Sequence, residues 1–328
     1  MATIADVARR AGVAPSTVSY VLTNRRSISS TTRQAVERAI RELDYQPHAG
    51  ARALRGARTR VLAVSVPEDG PYLPLRWRFV HDLSTAARAH DYDLLLLTGE
   101  ETVADVRRVA RSRLADGAIL MSVLTADPRI PVVRELGFPV ALLGRPDDPA
   151  GLPWCDFDFG GAAAEAVRDL AAAGHRRIGF VGSTDAEFRA GLSYAERGLA
   201  GARTGARSTG VKLAVIRSSP VRLTLARRVH RLLAAPEPPT AFVTVHDVPG
   251  LVGILREEGA RVPTELPVAA VASTSGAEDE RALTRWELPV AEMTRTVVDL
   301  AIAAIDEEPG PHGGLIRVQP TRGRNRST

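Results

Sequence analysis

The sequence predicts an all-α head followed by an α/β body built as two lobes, and three observations carry that expectation. In the first sixty residues, apolar positions recur at three-to-four spacing, the period of an amphipathic helix. From Val61 onward, short apolar runs alternate with longer helical patterns, the texture of parallel strands covered on both faces. Charge divides at the same place. Residues 1–60 hold eleven Arg against four acidic residues, a net of +7, so with the whole chain at +5 the remainder carries about −2. A basic head on a mildly acidic body points to an anionic polymer as the head's partner.

At 328 residues, 45% of them hydrophobic, the chain is long enough for two or three domains with sizeable cores. Cys155 is the single cysteine, which excludes an intrachain disulfide and any cysteine-based metal site. The amino terminus lacks the apolar stretch of a secretory leader. No run reaches about 18 apolar residues, the length that spans a bilayer. A cytoplasmic chain without membrane contact is therefore expected.

In the head, Thr3 can cap a first helix, with Asp6 three residues on closing a capping box in its weaker Asp form. Ile4, Val7, Ala8 and Ala11 form the apolar stripe. Gly12 ends the helix, because glycine takes the left-handed turn at low cost, and Val13 returns to the core. A second helix starts at Pro15 or Ser16, where a missing backbone donor is harmless. Val18, Val21 and Leu22 make its inner stripe, while Ser16, Thr17, Ser19 and Tyr20 form an acid-free outer side. Ser29 or Ser30 caps a third helix, with Val36, Ala39, Ile40 and Leu43 along one face. Three short helices on one small core fit a helix-turn-helix bundle over residues 1–46, and a protein-binding three-helix module is the alternative. The acid-free outer side favours the first, since small polar side chains read the floor of a major groove. Arg25, Arg26 and Arg33 can meet phosphates.

Residues 47–60 read as a hinge helix and linker. Pro47 stops the third helix, Ala49 to Arg55 is Ala-rich, and Gly56 closes it. A helix this short is marginal in water, so it would fold on a surface or against its copy in a dimer. Leu54, between Arg52 and Arg55, is either a buried linker side chain or a wedge between base steps in the minor groove.

The stretches TIADVARRAGVAPSTVSYVLTN, ISSTTRQAVERAIRELDYQPHAGARALR and TRVLAVSVP, in that order and spacing, resemble the LacI/GalR family of bacterial transcriptional repressors. The resemblance implies that Pro15, Ser16 and Tyr20 occupy the main base-reading positions. It adds Thr3, Thr17, Ser19, Asn24 and Arg33 to the DNA-contacting set of the head. It implies His48, Ala51, Leu54 and Arg55 in the hinge, with Leu54 as the paired minor-groove wedge. Two positions depart from the family pattern: His48, where Asn is usual, and Tyr20, where Arg is common. Both point away from a family-typical operator, above all from the guanine contact that Arg makes.

Over residues 61–328 the apolar runs VLAVSV, DLLLLT, GAILMS, PVALLG, RIGFVG, VKLAVI, TAFVTV, PVAAVA and GLIRVQ are expected as strands, too many for one compact unit. Two α/β lobes with a cleft between them follow, and ligands in such sheets bind at the carboxyl ends of strands. LLGRP, WCDFDFGGAAAEAVRDLAAAGHRRIGFVG and HDVPGLVGILREEGARVP resemble the family's effector-binding core, which is similar to periplasmic sugar-binding proteins. The body is thus expected as a two-lobed, periplasmic-binding-protein-like effector domain.

Five residues are candidates for the effector. Asp247 follows AFVTV directly, in a His246-Asp247 pair where the family usually has Asn-Asp; its carboxylate can accept hydroxyls or cap the next helix. Arg189 lies near the family's ligand-contacting Arg, with altered spacing in RAGLSY. Tyr72 stands after the first strand, to stack on the effector or to pack as a loop residue. Arg145, like Asp158, reads as structural or as part of the rim. The family's Asp-Asp pair is missing: Ala270 to Ser273 stand there without a carboxylate. Either Asp279 or Glu280 serves from the following loop, or the effector is less hydroxylated, or the response is lost.

Other chemistry is thin. His81, His90 and His230 have no metal-ligand spacing, GFVGSTD lacks a phosphate-loop ending, and no Gly-x-Ser-x-Gly elbow occurs. No cofactor, no metal and no enzymatic activity are expected. The expectation is a homodimeric, effector-responsive regulator, a repressor, on a double-stranded operator with dyad symmetry, with a small molecule such as a sugar as effector. The alternatives are a solute-binding protein without gene control, an α/β enzyme acting on a sugar or nucleotide, and an activator.

Overall fold

The computed structural model describes residues 2–23, 28–45, 58–66, 73–99, 102–274, 283–308 and 313–321. The chain divides into two compact units, Met1–Arg60 and Val61–Thr328.

In the first unit, α1 (Ile4–Ala11) opens on the capping box read from the sequence: the Asp6 amide donates to Thr3 Oγ1 at 3.3 Å and the Thr3 amide to Asp6 Oδ2 at 2.9 Å. Gly12 closes the helix at φ 68°, and the Val13 amide reaches back to the Ala8 carbonyl. Then α2 (Pro15–Thr23) packs Val18 and Val21 inward. Ser29 caps α3 (Ser30–Glu42), its hydroxyl accepting from the Thr32 amide at 3.2 Å. Val7, Ala8, Val18, Val21, Val36, Ala39 and Tyr45 form the core. Each fully buried valine there stabilises the bundle by about 1.5–3 kcal/mol.

In the second unit, two all-parallel sheets carry the strands. One contains β1 (Val61–Ser65), β2 (Asp93–Leu97), β3 (Gly117–Leu120), β4 (Val140–Leu143), β5 (Trp154–Phe157) and β11 (Gly313–Ile316), in the order β11-β5-β4-β3-β1-β2. The other contains β6 (Arg177–Thr184), β7 (Lys212–Ser218), β8 (Ala241–Val245), β9 (Val268–Ser273) and β10 (Thr284–Glu287), in the order β10-β9-β8-β6-β7. Setting β11 aside, both lobes follow one doubly wound plan, in which the second strand lies on one side of the first and the third on the other. Each lobe therefore has a switch point at the carboxyl end of its first strand, between β1 and β3 in lobe one and between β6 and β8 in lobe two.

The chain crosses between lobes three times. After β5 it enters helix Phe159–Ala172, which packs on lobe two; after β10 it enters helix Val290–Ile305, which packs on β3, β4 and β5 of lobe one. After β11 it returns, and Thr321 bridges Arg285 beside β10. Helix Ser193–Thr209 lies so close on helix Phe159–Ala172 that a Cβ on Gly201 would sit 2.1 Å from the Gly160 carbonyl oxygen. Two strands, β5 and β10, were not among the apolar runs. WCDF and TRWE are four residues long and carry charges, and each is a strand because its neighbour, β4 or β9, supplies a pairing edge.

Candidate functional site

In the head, the outer side of α2 places Pro15, Ser16 and Tyr20 at the surface, with Tyr20 38% exposed and Thr17 and Ser19 half-buried beside them. Val18 and Val21 hold the opposite side, so the orientation of this surface is set by the core. Thr3 is engaged as the α1 cap, and Arg33 is half-buried on α3. Asn24, His48, Ala51, Leu54 and Arg55 lie outside the described residues, as do Arg25 and Arg26, and Tyr72, Asp279 and Glu280 in the body.

In the body, a cavity of about 100 Å³ opens where the carboxyl ends of both sheets face each other. Lobe one supplies Phe79 from helix Leu73–Arg88, Met121 to Val123 after β3, Leu143 and Gly144 at the end of β4, and Asp156 in β5. The other side has Phe159, Ser193, Tyr194 and His246, with Leu288 and Met293 closing one end. Phe159, Tyr194 and His246 form one aromatic wall: Tyr194 and His246 meet edge-to-face at 4.9 Å, and Phe159 lies 5.5 Å from His246 and 5.7 Å from Tyr194.

Backbone bonds tie the lobes across this cavity. The Ser193 amide donates to the Val123 carbonyl at 3.0 Å, the Thr125 amide donates to the Gly191 carbonyl at 2.9 Å, and Leu124 bridges Leu192. Arg197 on lobe two donates to the Pro146 carbonyl and to Asp147, each at 3.0 Å.

Each switch point is braced. In lobe one, Arg129 is buried and donates to Asp127, to Ser65 Oγ at 3.2 Å and to the Met121 carbonyl at 3.0 Å, clamping the ends of β1 and β3. Burial pushes the Asp127 carboxyl upward, but the hydrogen bonds and charge of Arg129 outweigh it and hold it below the ordinary carboxylate range. In lobe two, Thr184 and Glu187 form a buried capping box at the end of β6, and Tyr194 donates its hydroxyl to Glu187 at 2.5 Å.

Two buried titratable groups face the cavity, beside the half-buried Arg76 and Tyr194. Asp156 is 3% exposed and accepts the Arg145 and Phe157 amides at 3.1 and 2.9 Å. Burial pushes its carboxyl up to about 7, against those bonds and the charges of Arg197 and Arg145. His246, in the left-handed region at φ 62°, is 6% exposed, and burial holds its imidazole below the ordinary value against the charges of Glu187 and Asp247.

Of the effector candidates, the structure brings His246 into the lining. Asp247 stands beside it but turns to Thr274, accepting the amide at 2.7 Å and the hydroxyl at 3.0 Å. It does not cap the following helix, Leu251–Glu257, whose cap is Gly250. Arg145 lies outside the lining, its amide on Asp156 and its guanidinium 5.2 Å from the Trp154 ring. Arg189 is exposed on helix Asp185–Ala190 and donates to the Asp185 carbonyl of its own turn. Asp158 caps helix Phe159–Ala172 and accepts from Arg317. Sequence reasoning missed Asp156, Phe159 and Tyr194 as a group. A carboxylate set between Cys155 and Phe157 in a strand was the available signal. Among the described residues, no helix is long and apolar enough to cross a membrane.

Residues 3–48 match the family described as bacterial regulatory proteins, lacI family, and residues 167–328 match the periplasmic binding protein-like domain. The HTH-type transcriptional regulator CelR of Thermobifida fusca is 30% identical, over 93% of this chain and 92% of that protein. The HTH-type transcriptional regulator MalR of Streptococcus pneumoniae is 31% identical, and there the match spans 56% of this chain and only 57% of the relative's length. A solved structure of a transcriptional regulator CelR–cellobiose complex superposes with a TM-score of 0.69 at 26% identity, covering 98% of each chain.

Proposed function

The chain belongs to the LacI family of bacterial regulatory proteins, and from that premise we propose that it is a transcriptional repressor whose grip on operator DNA changes when a small molecule enters the body. The observation that carries this reading is α2. Its Val18 and Val21 are locked in the core while Pro15, Ser16 and Tyr20 stand outward without an acidic neighbour on the helix, in a head of net +7. Such a surface suits a major groove, and the arginine surplus suits its phosphates. Residues 1–46 would read the DNA. Residues 47–60 would carry the paired hinge with Leu54 as wedge, and residues 61–328 would hold the effector and the dimer contact. A homodimer implies an operator with dyad symmetry.

The effector reading rests on the cavity at the two switch points. There a ligand touches both lobes, so its binding free energy depends on how the lobes stand, as a coupled site requires. The similar regulator solved in complex with cellobiose makes a sugar the first candidate for this chain. The reading is regulatory and not catalytic.

Selection of genomic fragments by the full-length protein, with random DNA as competitor, tests the proposal. A shared motif with dyad symmetry is expected, with an affinity that falls steeply as salt rises. Recovery of fragments without a common motif, or a flat salt dependence, would overturn it.

A further inference from the structure

We propose that Arg197 and the backbone bridge between Leu124 and Leu192 form a latch that keeps the two lobes closed without an effector and sets how tightly the free protein holds its operator. The control of operator affinity rests on the repressor reading, whereas the latch itself does not.

The opening N–H groups of a helix have no partner within it and are met from outside. Helix Ser193–Thr209 begins without a side-chain cap from Leu192. Its Ser193 amide donates instead to the Val123 carbonyl of lobe one at 3.0 Å. In return, the Thr125 amide of lobe one donates to the Gly191 carbonyl of lobe two at 2.9 Å. Among the described residues, each of these two amides has its acceptor on the opposite lobe. One turn into the same helix, Arg197 reaches across to the loop after β4. Its Nε donates to the Arg145 carbonyl at 3.3 Å, and one Nη donates to the Pro146 carbonyl and to Asp147 Oδ1, each at 3.0 Å. A guanidinium suits this task, because its donors form a rigid planar fork. An exposed ion pair contributes little, and the Asp147 side chain is 75% exposed, so the two carbonyls carry the hold.

Both ends of the latch are anchored. In lobe one, the Asp147 amide donates to the Thr125 carbonyl at 2.9 Å, joining the loop after β4 to the loop after β3. Asp127, itself held by Arg129, accepts the Leu124 amide at 3.1 Å. In lobe two, Gly191 takes the left-handed turn at φ 74°, and the Leu192 amide returns to the Glu187 carbonyl. The three crossovers are hinge-like connections, so the lobes part about them only when the latch bonds break. The latch also borders the cavity, for Val123 and Ser193 both stand in its lining. A molecule entering there meets the Ser193–Val123 bond, which couples occupancy of the cavity to closure of the lobes.

Hydrogen exchange of the full-length protein, measured without any ligand and resolved at the Ser193 and Thr125 amides, tests the latch. Protection of both amides is expected in the wild type. R197A should speed their exchange at least about tenfold and leave the amides of β6 and β8 unchanged. R197K, which keeps the charge but loses the fork, should fall between the two. Operator affinity of the free R197A protein should differ from the wild type by at least about fivefold. Unprotected Ser193 and Thr125 amides in the wild type overturn the proposal. So does an R197A profile equal to the wild type at these amides, or one accelerated equally through β6 and β8, which would make Arg197 a general stabiliser. Faster exchange at unchanged operator affinity overturns the control of DNA binding and leaves the latch. If no operator is selected at all, the repressor reading fails, while the exchange still reports on the latch.

Discussion

Lobe one and lobe two wind their strands in the same order, yet they brace the ends of those strands by different chemistry. In lobe one an ion pair, 4% exposed on Arg129 and 0% on Asp127, ties β1 to β3 and the loop after it. In lobe two a capping box and a tyrosine hydroxyl do the corresponding work beside β6, and a histidine in the left-handed region stands at the end of β8. A buried ion pair tolerates no missing member, because the survivor is a bare charge in a poor solvent. A capping box loses one or two neutral-to-charged hydrogen bonds and can relax. The difference teaches that a shared winding does not dictate equal stiffness. The expectation is that lobe one serves as the stiffer platform and that lobe two carries the groups that adjust around a ligand.

The largest effect that bears on this contrast is expected at Arg129. Arg129→Leu strands the Asp127 carboxylate in the interior, and stability measured by urea unfolding should fall by about 3–5 kcal/mol. Adding Asp127→Asn to the same chain should recover part of the loss, because the uncompensated charge is gone. A loss below about 1 kcal/mol, typical of exposed pairs, would mean that water reaches the clamp and that lobe one is no stiffer than its partner.

A second comparison sets the two buried titratable groups of the cavity against each other. Asp156, from lobe one, holds its proton up to about 7, whereas an unfolded chain releases it near 3.8. Its contribution to stability is full below the unfolded value and is lost as pH rises through about 7. His246, from the other side, is held below its unfolded value of 6.5, so its contribution is present above that pH and is lost as pH falls. The two slopes have opposite sign. Between pH 5 and pH 8 the stability of the wild type relative to Asp156→Asn should decline by about 2 kcal/mol. Relative to His246→Asn it should rise. Parallel profiles for the wild type and Asp156→Asn would show that Asp156 is solvated.

Local features of the head were legible in the sequence because they are self-contained. Thr3 with Asp6, Gly12 and Ser29 each act within four residues, so spacing alone revealed the boundaries of α1 and the start of α3. The division into two α/β lobes was legible from the alternation of apolar runs and helical patterns, but the strand order within them was not. Asp247 was not, since its partner Thr274 lies 27 residues further on and nothing in the spacing announces it. Nor were Asp156, Phe159 and Tyr194, which meet only because the chain crosses from β5 into lobe two. Arg189 illustrates the converse: its position in the sequence suggested a ligand, but the turn at Gly191 and the capping box before it leave it on the outer surface. Groups joined by tertiary crossings carry no periodic signal.

The smallest predicted effect concerns the brace of lobe two. Thr184→Ala removes the hydroxyl that accepts the Glu187 amide and donates to Glu187 Oε2, but leaves the Thr184 amide and the Tyr194 hydroxyl still donating to Glu187. Loss of a helix cap costs about 0.5–2 kcal/mol, typically about 1. Glu187 keeps two donors after the substitution, so no bare buried charge is created and the value should stay near 1 kcal/mol. That is a third or less of the loss expected for Arg129→Leu, measured on the same full-length chain by the same urea titration. Equal losses at the two positions would remove the contrast between lobes, for they would make the capping box as intolerant as the ion pair. The remaining donors decide the outcome: if the Tyr194–Glu187 bond depends on Thr184, the box and the tyrosine act as one network, and the loss exceeds that of a single cap.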